Sequence, residues 1–434
     1  MFVPRACWIA AAFVLAASQA AAQTPDSPPP PLFPARESSG TSWQPDETRM
    51  DGVERTLGAW SVMAHGSLFA QFLYESGDRH RTGGFASHQF SSANWLMLAA
   101  RRPAGAGRVG VRAMLTAEPW TVSACGFINL LASGEMCEGD TIHDRQHPHD
   151  TFMELSADYD RPIHGPLRWQ IYGGVSGEPA LGPTAFPHRL SAALNPIAPV
   201  THHWLDSSHM AFGVVTSGVY STRWKIEGSV FNGREPDETR TNLDLGPLDS
   251  FSGRVSLMPS PRLALQVSAG HLEEAEAEFS PRPRSDVDRL TASATYHRAL
   301  GARIWATTAA YGMNGANEYV PDGPVFLVTH AGLAETSLAG DRDTWFGRVE
   351  VAGKPGEDLH VHEAPTQIFT VGKIEAGYVR QFRAWHSLVP GVGAVASANI
   401  VPPALATRYS GQVAWGFGVY FVLRPVSHVM HGAR

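Results

Sequence analysis

From residue 59 onward, apolar and polar side chains alternate, and turns of two kinds cut the alternation into short runs. In the run from Leu167 to Val175, one face carries Leu167, Trp169, Ile171 and Val175, and the other carries Arg168, Gln170 and Tyr172. Trp224, Ile226 and Val230 oppose Lys225 and Glu227. Trp345, Val349 and Val351 oppose Arg348 and Glu350, and Ile368, Ile374 and Tyr378 oppose Lys373 and Glu375. Successive side chains of a strand point to opposite faces, so each run has one oily and one charged surface. A soluble sandwich shares that rhythm, and the connections separate the two. Runs at 59–76, 85–102, 107–118, 151–160, 167–176, 209–220, 222–232, 250–258, 262–272, 288–298, 302–312, 325–338, 343–352, 367–382, 384–397 and 410–424 predict sixteen strands. Every second connection is tight (103–106, 161–166, 221, 259–261, 299–301, 339–342 and 383), whereas 118–150 and 177–208 run to about thirty residues. An even strand number with short turns at one end and long loops at the other is the pattern of outer-membrane barrels. A strand edge facing lipid must be paired, which favours a closed cylinder over an open sheet.

The expected fold is therefore all-β: a transmembrane, antiparallel, up-and-down β-barrel with short periplasmic turns and long extracellular loops. Its polar faces place Arg168, Lys225, Glu227, Arg348, Glu350, Lys373 and Glu375 on the lumen wall. Trp60, Tyr74, Trp95, Tyr220 and Trp415, near strand ends, are expected to form interfacial girdles.

The flanks organise the rest. Arg5, the apolar run 6–17 and Ala20-Ala21-Ala22 predict a cleaved signal peptide over 1–22. No stretch reaches the roughly 18–20 apolar residues that a membrane helix needs. Residues 23–58, with proline at every position from Pro28 to Pro31, are expected to form an extended periplasmic linker. The barrel would then span 59–424, followed by a tail at 425–434. Many such barrels end on an aromatic residue used for membrane insertion; here Phe421 is the internal candidate. The net charge of −7 and the lack of a basic stripe argue against a nucleic-acid partner, leaving outer-membrane lipid and small solutes or ions. Cys7 leaves with the leader, so Cys125 and Cys137 are expected to pair in an oxidising compartment. Such a bridge restricts the unfolded chain by about 3 kcal/mol in the entropic account.

Eight of the nineteen histidines lie between His143 and His209. In extended backbone His147 and His149 share a side, with Asp150 beside them. In the segment from His202 to His209, a short helix would put His202, Asp206 and His209 on one face. Imidazoles with carboxylates suit zinc, copper or nickel, so His147, His149, Asp150, His202, Asp206 and His209 form the candidate metal set. The bland alternative is hydrogen-bonded scaffolding that pins an infolded loop, with Arg145 bridging Asp144 or Asp150. A serine hydrolase is a further alternative, with Ser207 or Ser208 beside Asp206 and His209, but the channel and metal readings assign no catalytic residue.

Asp144-Arg-Gln-His-Pro-His-Asp150, the segment from Gly177 to Pro183, His202-His203-Trp204 and the segment from Phe231 to Asp237 together resemble a family of uncharacterised proteobacterial outer-membrane barrel proteins. The resemblance covers most of the chain after residue 59. Met/His-rich tails in some members imply metal or copper handling; here His428, Met430 and His431 carry that feature thinly. Three readings stay open: a channel for small solutes or ions with a His/Asp-lined constriction, a copper- or zinc-binding barrel, and a barrel-embedded hydrolase.

Overall fold

The computed structural model describes residues 32–76, 87–276, 284–320 and 323–428. The predicted leader, Cys7, the prolines Pro28 to Pro31, and Met430 and His431 lie outside the described residues.

Sixteen antiparallel strands close into one barrel. They are β1 Trp60–Glu75, β2 in two pieces, His88–Ser91 and Asn94–Ala104, β3 Gly107–Leu115, β4 Phe152–His164, β5 Leu167–Gly177, β6 Ala211–Tyr220, β7 Trp224–Phe231 and β8 Ser250–Ser260. They continue as β9 Leu263–Glu276, β10 Ser285–Leu300, β11 Arg303–Val320, β12 Gly323–Ala339, β13 Asp343–Pro355, β14 Ile368–Gln381, β15 Leu388–Ile400 and β16 Val413–Pro425. Each strand pairs with the next. The seam closes where β16 meets β1, from Gly416 opposite Glu75 to Leu423 opposite Leu68. Below Leu68 the free edge of β1 is taken by a short strand, Val53–Leu57, which pairs with residues 60–64, while Met50–Asp51 pairs with Ser427–His428. The edge therefore stays hydrogen-bonded toward the turn end, as a strand in lipid requires.

The alternation read from the sequence is the alternation of the wall. On β7, Ile226 is 48% exposed and Lys225 is 1% exposed. Val349 and Val351 face outward from β13 while Arg348 and Glu350 are buried inside. Two aromatics depart from expectation: Trp95 and Tyr220 point into the lumen. Trp95 lies against His65 and His188, with ring centroids 5.1 and 4.7 Å away, and Tyr220 lies edge-on to Trp43 at 5.9 Å.

Three segments fill the cylinder. The first corrects the expected linker. Over residues 32–49 the chain is not an extended tether but a plug packed against the wall from the short-turn end. Arg101 and Arg108 each donate to Leu32 O at 3.0 Å and both pair with Glu37. Arg112 donates to Gly40 O at 2.6 Å, Arg254 to Thr41 Oγ1 at 3.0 Å, and Lys225 Nζ to Thr41 O. Gly40 turns here with φ of +51°, and a Cβ on it would stand 2.6 Å from Glu178 Cβ, so glycine alone suits the close approach.

The second is the β5–β6 connection, 178–210, which folds inward. Pro179, Pro183, Pro187, Pro196 and Pro199 deny it a regular ladder. The wall satisfies its backbone instead: Ala180 N donates to Ser229 Oγ at 2.7 Å, Gly182 N to Ser268 Oγ at 2.8 Å and Thr201 N to Glu350 at 3.0 Å. The third is a hairpin, Phe127–Cys137 with Asp140–Gln146, in which the Cys125–Cys137 disulfide, with Cα atoms 5.3 Å apart, ties the residues before the first strand to its turn end. Leu130, Leu131, Val200, Trp204, Leu205 and Tyr409 form an apolar cluster with it at the loop end.

Candidate functional site: a histidine cluster inside the lumen

The seven charged residues expected on the wall all face inward, and they form ion pairs. Arg168 pairs with Asp160 at 2.9 Å, Lys225 with Glu227 at 3.4 Å, Arg348 with Glu350 at 2.8 Å and with Glu375 at 2.5 Å, and Lys373 with Glu375 at 3.7 Å. A lone buried charge costs several kcal/mol, and these pairs avoid that cost. They also anchor the infolded segments: Lys373 Nζ donates to Asn129 Oδ1 at 2.5 Å and Asn195 donates to Glu375 at 2.8 Å.

The two histidine groups, more than fifty residues apart in sequence, meet in the lumen. Ring centroids stand 5.9 Å apart for His147 and His149, 6.3 Å for His147 and His202, 5.2 Å for His149 and His209, and 5.1 Å for His202 and His209. The helix expected at 202–209 is broken into an α turn, His202–Leu205, and a 3-10 turn, Ser207–His209, yet it still brings His202 beside His209.

Each of these four rings is held through Nδ1. His147 Nδ1 is 3.2 Å from Glu135 Oε1 and His149 Nδ1 is 2.8 Å from Glu118 Oε2. His202 Nδ1 is 2.8 Å from Asp206 Oδ1 and His209 Nδ1 is 2.8 Å from the Asp206 carbonyl oxygen. An oxygen acceptor at Nδ1 fixes the proton there and leaves Nε2 as the coordinating or accepting nitrogen. Among the described residues, the buried Nε2 atoms of His149 and His209 have no hydrogen-bond partner.

The charge states follow from the surroundings. Burial brings His202 down to about 4 and His209 down to about 3, so both rings are neutral at pH 7. Burial, with the Arg240 charge, pushes His147 well below its ordinary value. Burial acts the same way on His149 and His203, but the carboxylates of Glu118 and Glu235 outweigh it and raise both.

Of the six residues proposed as ligands, two have other duties. Asp150 turns to Arg240, 3.3 Å away, and burial pushes its carboxyl up to about 7. Asp206 holds His202 on one side and Arg189 on the other, at 2.5 Å, and despite burial these partners keep it far below the usual carboxylate range. Arg145 donates to Gly126 O at 2.8 Å, and Asp144 accepts from Leu131 N at 2.8 Å. Ser207 Oγ accepts from Arg289 at 2.9 Å, and Ser208 Oγ has no hydrogen-bond partner among the described residues.

Several members of the site escape sequence reasoning. Ligand-type atoms of His203, Glu235 and Glu276 lie within 4.8 Å of one another, and His203 sits 6.1 Å from His147 by ring centroids. The His203 ring is backed by Gly134, whose φ is +118°; a Cβ there would lie 2.1 Å from the ring. Toward the turn end, His65 Nε2 contacts Met97 Sδ at 3.0 Å, and Met97 packs with Met114, Met153 and Met210. No local signal joins these positions, which come from five strands and three loops.

In the space left between wall and loops, four small cavities lie in a chain. The first, about 110 Å³, lies between the plug, His65 and His188. Trp95 and Pro187 also line the second, His149 lines both the second and the third, and His203 and Glu235 line both the third and the fourth.

No protein-family model matches the chain, and no curated protein matches it in sequence. Solved structures do. The anion-selective porin from Comamonas acidovorans aligns with a TM-score of 0.50 at 11% identity, covering 84% of this chain and 99% of that one. The outer-membrane channel DcaP of Acinetobacter baumannii aligns at 0.48 and 9%, covering 86% of this chain and 100% of its own. Salmonella typhi OmpF, solved with daunomycin, aligns at 0.48 and 9%, covering 85% and 100%. At these identities the likeness, carried by the Comamonas porin, is one of fold: a closed β-barrel of porin-like architecture.

Proposed function

We propose that this barrel is a channel for small solutes or ions, narrowed by its own infolded segments to a histidine- and carboxylate-lined path. The carrying observation is the chain of cavities from His65 and Asp51 at the turn end to Glu276 and Asp358 at the loop end, each sharing lining residues with the next. Ionisable side chains line every cavity of the chain, among them His65, His149, His203 and Glu235. The narrowness favours ions and small solutes over bulky ones, because the cavities hold only a few waters each.

In this reading the protein sits in outer-membrane lipid after export through a cleaved leader, and its turns face the periplasm. Purified protein inserted into planar bilayers should give discrete conductance steps that grow when residues 32–49 are deleted. Insertion that stays reproducibly silent in both forms removes the channel reading.

A further inference from the structure

We propose that the lumenal cavity bounded by His147, His203, His209, Glu235 and Glu276 binds a divalent transition-metal cation of the zinc and copper class. This goes beyond conduction, because binding at such a site does not depend on an ion crossing the barrel.

Three observations carry it. First, His203, Glu235 and Glu276 present one ligand atom each within a 4.8 Å spread. Zinc bonds to imidazole nitrogen and carboxylate oxygen of ~2.0–2.2 Å put ligand atoms ~3–4 Å apart, so a contraction of about 1–2 Å by side-chain rotation completes the seat. At present a hydrogen bond joins His203 Nδ1 to Glu235 Oε1 at 3.2 Å, and the cation would replace the proton between them.

Second, further imidazoles stand ready around the same cavity, which His147, His149, His203 and His209 all line. The Nδ1 atoms of His147, His149 and His209 are each anchored on an oxygen, the arrangement that orients a metal-ligating histidine and raises its basicity. The Nε2 atoms of His149 and His209 are buried and unpartnered, and a buried nitrogen left so carries a desolvation cost that a cation relieves.

Third, the donor set selects the metal. Magnesium and calcium take oxygen shells, whereas a mixed imidazole and carboxylate set belongs to zinc, copper and nickel. Glu135, Glu235 and Glu276 bring carboxylate oxygens to the same lining as the imidazoles.

A second histidine and carboxylate group, His271 with Glu273 and Asp286, lies near the loop end of β9 and is half-exposed. Among the described residues no second imidazole is anchored beside His271, and the group serves as the internal control.

The test is calorimetric titration of Zn²⁺ and of Cu²⁺ into chelator-treated, detergent-solubilised full-length protein. Wild type should bind one equivalent tightly. Affinity should fall at least ~10-fold in both His203→Ala and Glu276→Gln and stay unchanged in His271→Ala. No saturable binding, unchanged affinity in Glu276→Gln, or a loss confined to His271→Ala overturns the site. Folding of each variant is checked by its heat-modifiable gel mobility. Should both lumenal variants misfold, X-ray absorption at the zinc edge of the wild-type complex decides. A mixed nitrogen and oxygen shell with imidazole scattering supports the proposal, and an all-oxygen shell ends it. Conductance is recorded separately, so a silent barrel that binds zinc sinks the channel alone, and a conducting barrel that ignores zinc sinks the site alone.

Discussion

Glu118 holds His149 twice with one atom: its Oε2 accepts the His149 backbone N–H at 2.9 Å and lies 2.8 Å from His149 Nδ1. Both side chains are buried, so neither has water to fall back on. Glu118→Ala should therefore destabilise the β3–β4 loop by about 3–5 kcal/mol, the usual cost of stripping one partner from a buried pair. Glu118→Gln keeps an acceptor and should cost less. Urea unfolding in detergent, with proteolysis at the loop as a second readout, checks the order of the two.

Glu37 makes the plug sensitive to acid. Burial opposes its charge, but Arg101 and Arg108 win and hold its carboxyl down to about 2. Because the folded value lies below the ordinary 4.5, the stabilisation is fully present above about 4.5 and is lost as pH falls toward 2. Residues 32–49 should accordingly become accessible to an acid-active protease as pH falls from about 4.5 toward 2. Glu37→Gln should show that accessibility at neutral pH. Equal protection of the variant and wild type at pH 7 would contradict the role given to this ion pair.

The two faces of β13 should respond oppositely to charge. Val349→Arg places a cation in lipid and should cost about 2–4 kcal/mol near the midplane. Arg348→Ala removes a lumenal cation from between Glu350 and Glu375, at 2.8 and 2.5 Å, and leaves both carboxylates without it. We expect a loss of about 3–5 kcal/mol there. A double variant, Arg348→Ala with Glu375→Gln, should recover part of it, as a thermal melt would register.

Replacing Cys125 and Cys137 by serine should free the turn end of the inward hairpin while sparing the wall, since neither residue belongs to a barrel strand. The expected loss is about 3 kcal/mol of chain restriction, felt locally. Noisier conductance with unchanged heat-modifiable mobility is the signature; collapse of the barrel itself would mean the hairpin does more than cap.

Gly134→Ala tests the seating of His203 without touching a ligand. The new methyl would lie 2.1 Å from the ring and would also sit on a backbone with φ of +118°, so the ring must move. Zinc affinity should fall, by calorimetry, with the strand content by circular dichroism unchanged.

The wall was legible because its code is local. Lys225 and Ile226 are neighbours on opposite faces, and that one fact, repeated sixteen times, sets both the lipid surface and the lumen. What fills the lumen was not legible, because its partners are remote. Nothing near Glu37 foretells Arg101 and Arg108, and nothing near Asp150 foretells Arg240, ninety positions on. Residues 32–49 read as a tether until the guanidiniums that donate to their carbonyls are in place. The histidine pairs were visible as residue types, but Glu118, Glu135, Glu235 and Glu276 become their companions only through the barrel's curvature. Trp95 and Tyr220 were misjudged for a similar reason: large aromatics suit an interface, and these two instead pack on rings inside, His188 for one and Trp43 for the other.

The plug also constrains the order of assembly. Residues 32–49 are gripped from within by Arg101 of β2, Arg108 and Arg112 of β3, Lys225 of β7 and Arg254 of β8. The cylinder is sealed only when residues 416–423 zip onto 68–75. Residues 32–49 must therefore already lie within the curling sheet when the last strand docks, or be threaded afterwards through the short-turn mouth, so completion of this barrel couples two remote segments of one polypeptide in time as well as in space.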